Sequence, residues 1–211
     1  YFLVKQMLDE EVNIYSYNTT EYIKDMGTPL RLKLVEEDLK NNFVIPKNYK
    51  NKQKVLFVDR DNTLIKCDIG KYILNIEEIQ FLDLNIQKIA EISKNFDFVC
   101  LLTNQPAISM GKLSLKMLDK INSFLIKFCI NKNLKIDVVA YCPHHPHKGF
   151  KDEINLLKNV CFCRKPSPGL FLEQAFLRNI DLSKSLMIGD SSDDLLAARN
   201  ANCHFKNISD L

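Results

Sequence analysis

From Lys54 to the end of the chain, continuous apolar runs of strand length alternate with longer stretches whose apolar residues recur every three or four positions. Few architectures accept that alternation. It is the mark of an α/β fold, in which helices cross back over a largely parallel sheet. The runs fall at 55–58, 98–102, 136–140 and 186–188, and none alternates apolar with polar residues, so both faces of each strand need cover. Leu115, Leu118, Ile121, Leu125 and Phe128 mark one face of a helix, and further helices are expected over 86–94, 169–178 and 193–200. The expected fold is a doubly wound, mostly parallel sheet. Ligands of such sheets bind beyond the carboxyl ends of the strands, so the chemistry should follow each apolar run.

Polar groups do stand at those places. Asp59-Arg60-Asp61-Asn62-Thr63 follows the first run and Thr103-Asn104-Gln105 the second. Arg164-Lys165-Pro166 precedes the helix at 169–178, and Gly189-Asp190, with Asp193 and Asp194, follows the last run. Two carboxylates one residue apart more often make a turn or a solvated acidic loop. Four such groups, each at a strand end or helix start, make a site.

The seven cysteines are an odd number, and three of them crowd into a stretch with histidines. Cys142-Pro143-His144-His145-Pro146-His147 is followed by Cys161-Phe162-Cys163 and then directly by Arg164-Lys165. Thiolates and imidazole are the ligands of tetrahedral zinc, and two close pairs joined by a loop close such a site. The bland alternative is buried thiols beside surface histidines. The spacing favours Cys142, His144, Cys161 and Cys163 as four zinc ligands, which leaves no open position and makes the ion structural. Cys67, Cys100, Cys129 and Cys203 have no partner pattern and read as small buried hydrophobes.

The series DxDxT, Thr, Lys and GDxxxD resembles the motifs of haloacid dehalogenase phosphatases over about residues 54–207. The resemblance implies that Asp59 is the phosphate-accepting nucleophile and that Asp61 serves as general acid and base. It implies that Asp59, Asp190 and the backbone carbonyl of Asp61 hold Mg²⁺. Lys165 and Thr103 would stabilise the transferring phosphoryl group, and Asp194 would orient Lys165 or a metal-bound water. Asp193 reads as a helix N-terminal charge. Within the superfamily, the CxH and CxCRKPxPG pattern is similar to that of heptose 1,7-bisphosphate phosphatases and, more distantly, histidinol phosphatases. Residues 103–111 lean towards the former, whose pattern there is TNQSGIARG. The implied substrate is a small phosphorylated sugar, a heptose bisphosphate losing its 7-phosphate, with Asn104, Gln105 and Arg164 as substrate contacts. Ala107 and Met110 depart from that pattern where it has Gly and Arg, Asn62 stands in place of Gly, and the loop 145–160 is longer than usual. The alternatives are a histidinol or other phosphomonoester phosphatase and a silent zinc-stabilised interaction module.

Forty positions separate Thr63 from Thr103 and sixty-two separate Thr103 from Lys165. The expected strands, helices and zinc loop fill them, so no cap domain is expected. Ahead of this phosphatase domain (54–211) lie a connector (43–53) and a segment (1–42) in which a helix, a strand at 12–17 and a second helix at 30–41 are expected. Glu21-Tyr22-Ile23-Lys24-Asp25-Met26-Gly27-Thr28-Pro29 resembles the closing segment of sugar-phosphate nucleotidyltransferases, which implies a fusion of the two activities. A helix start, with Thr28 as cap and Pro29 at its first position, explains the same residues without that resemblance. The net charge of +3 is spread along the chain, which argues against a nucleic-acid partner. No apolar run approaches the roughly 20 residues a membrane helix needs. The absence of a secretory pattern predicts a cytoplasmic protein whose start lies upstream of Tyr1.

Overall fold

The computed structural model describes residues 2–15, 19–41, 43–68 and 70–211. Five parallel strands, β1 (Val55–Val58), β2 (Phe98–Asn104), β3 (Val138–Cys142), β4 (Leu186–Gly189) and β5 (His204–Asn207), form one sheet in the order β3-β2-β1-β4-β5. The chain moves outwards from β1 through β2 to β3, then returns to lay β4 on the other side of β1. That reversal opens a crevice at the carboxyl ends of β1 and β4, which are followed by Asp59 and Asp190.

The period of two along β1 explains the layers. Leu56 and Val58 point into a core shared with Ile86 and Ile89 of α3 (Asp83–Ser93) and Leu118, Ile121 and Leu125 of α4 (Leu115–Asn131). Val55 and Phe57 point the other way, into a core with Leu170 and Phe171 of α5 (Gly169–Arg178) and Ala197 and Ala198 of α6 (Ser192–Asn200). The Phe57 and Phe171 rings lie 4.8 Å apart, tilted. Helix starts are capped by Ser114, which accepts from the Met117 N–H, and by Ser191, which forms a reciprocal capping box with Asp194. Among the described residues no cap domain interrupts the sheet domain.

Some expectations need correction. β3 lies two residues later than expected and so runs into Cys142. β5 was not expected: its exposed His204 and Lys206 alternate with half-buried residues on a sheet edge, so it has no apolar run to announce it. The strand expected at 12–17 does not form over 12–15, and Ser16 and Tyr17 lie outside the described residues.

Ahead of the sheet lie α1 (Phe2–Asp9) and α2 (Pro29–Lys40), the latter capped by Thr28 with Pro29 at its first position. Among the described side chains before β1, Val35 is the one buried hydrophobic, while Leu30, Leu32, Leu34 and Leu39 of α2 are exposed. The connector carries a short 3₁₀ turn at Ile45–Lys47 and is pinned to the sheet domain where the Gln53 N–H donates to Asn179 O (2.9 Å) and its side chain to Arg178 O (2.6 Å). Among the described residues no helix is long and apolar enough to cross a membrane.

Candidate active site

β1 leads directly into Asp59. Asp59 is buried, and Lys165 Nζ lies 2.6 Å from its Oδ1 and 2.5 Å from Oδ1 of Asp194. The same ammonium donates to the Leu102 carbonyl at 3.1 Å, so its three protons are all spent. Lys165 is placed by Asn104 at the end of β2, whose amide makes two bonds to its backbone: Nδ2 donates to Lys165 O (3.0 Å) and Oδ1 accepts from Lys165 N (3.1 Å). Asp194 is fully buried and its second oxygen accepts from the Ser191 hydroxyl at 2.7 Å. Gly189 permits that approach, since a Cβ there would lie 2.4 Å from Asp194 Oδ2.

Burial pushes the Asp59 carboxyl up to about 7, with the Lys165 charge working against the rise and Asp194 and Asp61 adding to it. Burial also opposes the charge on Lys165, but Asp59 and Asp194 outweigh it and hold the ammonium above its usual range. Asp190, half-buried, is raised by burial and by the Asp194 charge. Carboxylate oxygens of Asp59, Asp190 and Asp194 lie within 4.8 Å of one another. Three carboxylates around one lysine leave surplus negative charge. With both oxygens of Asp194 already bonded, Asp59 and Asp190 have oxygen donors free for a hard cation, and the set fits Mg²⁺.

Asp61 is gripped from behind. Arg60, 1% exposed, donates from Nε to Oδ1 (3.0 Å) and from Nη2 to Oδ2 (3.1 Å), and Gln105 Nε2 donates to Oδ2 (3.1 Å). Gln105 also donates to Thr103 Oγ1 (3.0 Å) and accepts from Arg60 Nη2 (3.0 Å). The side-chain amides of Asn104 and Gln105, expected as substrate contacts, thus bond the Lys165 backbone and the Arg60–Asp61–Thr103 cluster respectively, with Gln105 buried and Asn104 half-buried. Asn62 takes the left-handed conformation (φ 58°), which Asn tolerates in place of Gly, and accepts from the Cys67 N–H with Oδ1 (2.9 Å). Arg60 and its further partner Asn122 (3.4 Å) escaped the sequence reading. The available signal was Asn122 itself, a polar residue within the apolar stripe of a helix.

Cys142, His144, Cys161 and Cys163 also converge. Cys163 Sγ lies 3.2 Å from Cys142 Sγ, 3.3 Å from Cys161 Sγ and 3.2 Å from His144 Nδ1, and Cys142 Sγ lies 3.5 Å from Cys161 Sγ. These separations are far beyond the roughly 2 Å of a disulfide. They are close to the edges of about 3.8 Å that a tetrahedron of sulfurs around zinc requires, so the four groups fit that ion. Burial raises the Cys142 thiol, with a hydrogen bond to Cys163 adding to the rise. Zinc would supply the charge that turns such thiols into thiolates.

Between the ligand pairs the long loop folds back on residues 105–113. The Ile154 N–H donates to Ser109 O (2.9 Å), and a Cβ at Gly111 (φ 72°) would lie 1.8 Å from Asp152 O. Ala107 and Met110 are both buried here. Arg164 donates to the His144 carbonyl (3.3 Å) and, with Lys165, Ser167 and Asp193, lines a cleft of about 200 Å³. A larger cleft of about 480 Å³ lies at the opposite end of the strands, between the connector and Phe98, Val138 and Arg178. Its size does not make it the site, since none of the converging carboxylates reaches it.

Comparison with known proteins agrees with this geometry. A HAD-hydrolase-like family model matches residues 162–206. The D-glycero-beta-D-manno-heptose-1,7-bisphosphate 7-phosphatase of Escherichia coli O6:H1 is 33% identical over 147 residues, 70% of this chain and 74% of that protein. The crystal structure of D,D-heptose 1,7-bisphosphate phosphatase from B. bronchiseptica, complexed with magnesium and phosphate, matches with a TM-score of 0.61 at 28% identity, over 72% of this chain and 78% of that one. A HAD-like phosphatase structure from Mesorhizobium loti matches with a TM-score of 0.64 at 25% identity, over 72% of this chain and 70% of that one. The chain belongs to the haloacid dehalogenase superfamily, in the family of the heptose 1,7-bisphosphate phosphatases, and is a phosphoric monoester hydrolase.

Proposed function

We propose that this phosphatase removes the 7-phosphate of a D-glycero-D-manno-heptose 1,7-bisphosphate through a phosphorylated Asp59, with Mg²⁺ as its cofactor. The substrate follows the name of relatives about one third identical over most of their length. The observation that carries the chemistry is the convergence of Lys165 on Asp59 and Asp194 beside Asp190. Mg²⁺ held by Asp59, Asp190 and the Asp61 carbonyl would offset the repulsion between an attacking carboxylate and a phosphate ester.

An Asp59 oxygen attacks phosphorus while the ester P–O bond breaks, and the departing oxygen takes the proton of Asp61. Water then attacks the same phosphorus and gives a proton to Asp61. The Asp59–phosphorus bond breaks, inorganic phosphate leaves and both carboxyl groups return to their starting state. Lys165 and Thr103 stabilise charge on the transferring group. Arg164 holds the second phosphate in place of the family arginine replaced by Met110, and Arg164→Ala should raise KM more than it lowers kcat. The four-ligand zinc site fixes the loop that presents Arg164 and Lys165.

The assay that tests this reading compares phosphate release with Mg²⁺ from heptose 1,7-bisphosphate and from histidinol phosphate, for wild type and Asp59→Asn. Release from the heptose ester, lost in the variant, supports the proposal. Preference for histidinol phosphate would replace the substrate, and release from neither would leave an interaction module. Residues 1–42 we read as the closing part of a sugar nucleotidyltransferase fused to the phosphatase, which agrees with the exposed leucines of α2. This chain alone should form no nucleotide sugar, and its formation would contradict that reading.

A further inference from the structure

Asp61 must offer its proton to a departing oxygen, yet nothing in the assigned roles explains what keeps its carboxylate in place. Its side chain is 27% exposed, so one edge faces the open site, while among the described residues its side-chain bonds come from Arg60 and Gln105. We infer that Arg60 and Gln105 form a clamp that holds the Asp61 carboxylate in the orientation from which it serves the leaving group. Both are thus positioning residues for proton transfer rather than substrate contacts. The inference rests on the reading of Asp61 as general acid.

Three features carry it. Gln105 is 2% exposed and both N–H donors of its amide are spent on Asp61 and Thr103 while its oxygen accepts from Arg60, so the amide is turned to the protein interior. Arg60 decides which way that amide faces. By donating to Gln105 Oε1 it turns Nε2 towards Asp61, whereas the flipped amide would set oxygen against carboxylate and N–H against guanidinium. The clamp is also anchored on rigid elements: the Gln105 N–H donates to Cys142 O at the end of β3 (2.7 Å), and Arg60 donates to Asn122 on α4 (3.4 Å). A buried guanidinium carries a desolvation cost that apolar packing would avoid. Here the cost coincides with a carboxylate fixed from two sides at the mouth of the site.

The clamp makes a prediction that depends on the leaving group. An alkyl phosphate such as a sugar phosphate needs its departing oxygen protonated, whereas p-nitrophenyl phosphate releases a stable anion and does not. Gln105→Leu should lower kcat for the alkyl ester by about 10- to 100-fold, with KM little changed. Its loss with p-nitrophenyl phosphate should be smaller by at least about tenfold. In an Asp61→Asn background the same substitution should have little further effect on the alkyl ester, because the group it positions is already gone. Gln105→Glu, which keeps the bond from Arg60 but repels Asp61, should show the same selectivity if Gln105→Leu folds poorly. Equal losses with both esters would assign Gln105 to Thr103 or to the scaffold and overturn the clamp. So would losses that multiply in the double variant. Asp61→Asn without leaving-group dependence would remove Asp61 as the acid and the clamp with it, while activity surviving Asp59→Asn would instead strike the nucleophile.

Discussion

Cys142, His144, Cys161 and Cys163 face one another as a self-contained tetrahedral set, whereas Asp59, Asp190 and Asp194 crowd around a single lysine and retain a partly exposed edge at Asp190. The first group gathers at the carboxyl end of β3 and the second beyond those of β1 and β4, and the short segment Cys163-Arg164-Lys165 joins them. The thiol and imidazole set would spend all its donors on one ion, which suits an ion that stays. The carboxylate set carries surplus negative charge that an exchangeable cation would offset, which suits turnover. The difference teaches that ligand type and saturation, rather than depth in the fold, separate a structural centre from a reactive one.

The largest effect should come from the open group. Asp59→Asn is expected to lower phosphate release by about 1,000-fold or more while the protein still melts cooperatively, as checked by steady-state assay and calorimetry. Asp194→Ala would leave Lys165 without one partner and the Ser191 N–H and hydroxyl without theirs. A buried pair broken in this way costs about 3–5 kcal/mol, read as a large drop in the denaturation midpoint together with lost activity. In the closed group, Cys163→Ser should abolish zinc binding by elemental analysis and lower Tm by about 4–8 °C, the equivalent of about 2 kcal/mol. Activity should fall as well, because Lys165 lies two residues away. Stable, active protein after loss of zinc would break the proposed link between the two groups. The smallest effect should follow deletion of residues 1–41: Tm should move by less than about 2 °C, since Val35 is the one buried hydrophobic among the described side chains of that segment.

Much of the sheet could be read from the chain because its central strands are apolar on both faces, as Val55-Leu56-Phe57-Val58 is. β5 could not, since an edge strand with exposed His204 and Lys206 carries no such run. The carboxylates and Lys165 were legible for a different reason: each stands next to a strand end or helix start, where topology alone brings it to the crevice. The same logic puts Asn104 and Gln105 at the site without saying which way their amides turn. That is decided by Arg60 and by the backbone of Lys165, which lies 61 positions from Asn104. No local pattern records such a pairing.

The account stands on Asp59 as the atom that takes the phosphoryl group. Rapid acid quench of the Mg²⁺-loaded full chain with a heptose 1,7-bisphosphate radiolabelled at the 7-phosphate tests this most directly. The expected result is transient label on the peptide that contains Asp59, rising before inorganic phosphate and absent from Asp59→Asn. Release of labelled phosphate at full rate with no label on that peptide at any time would contradict it.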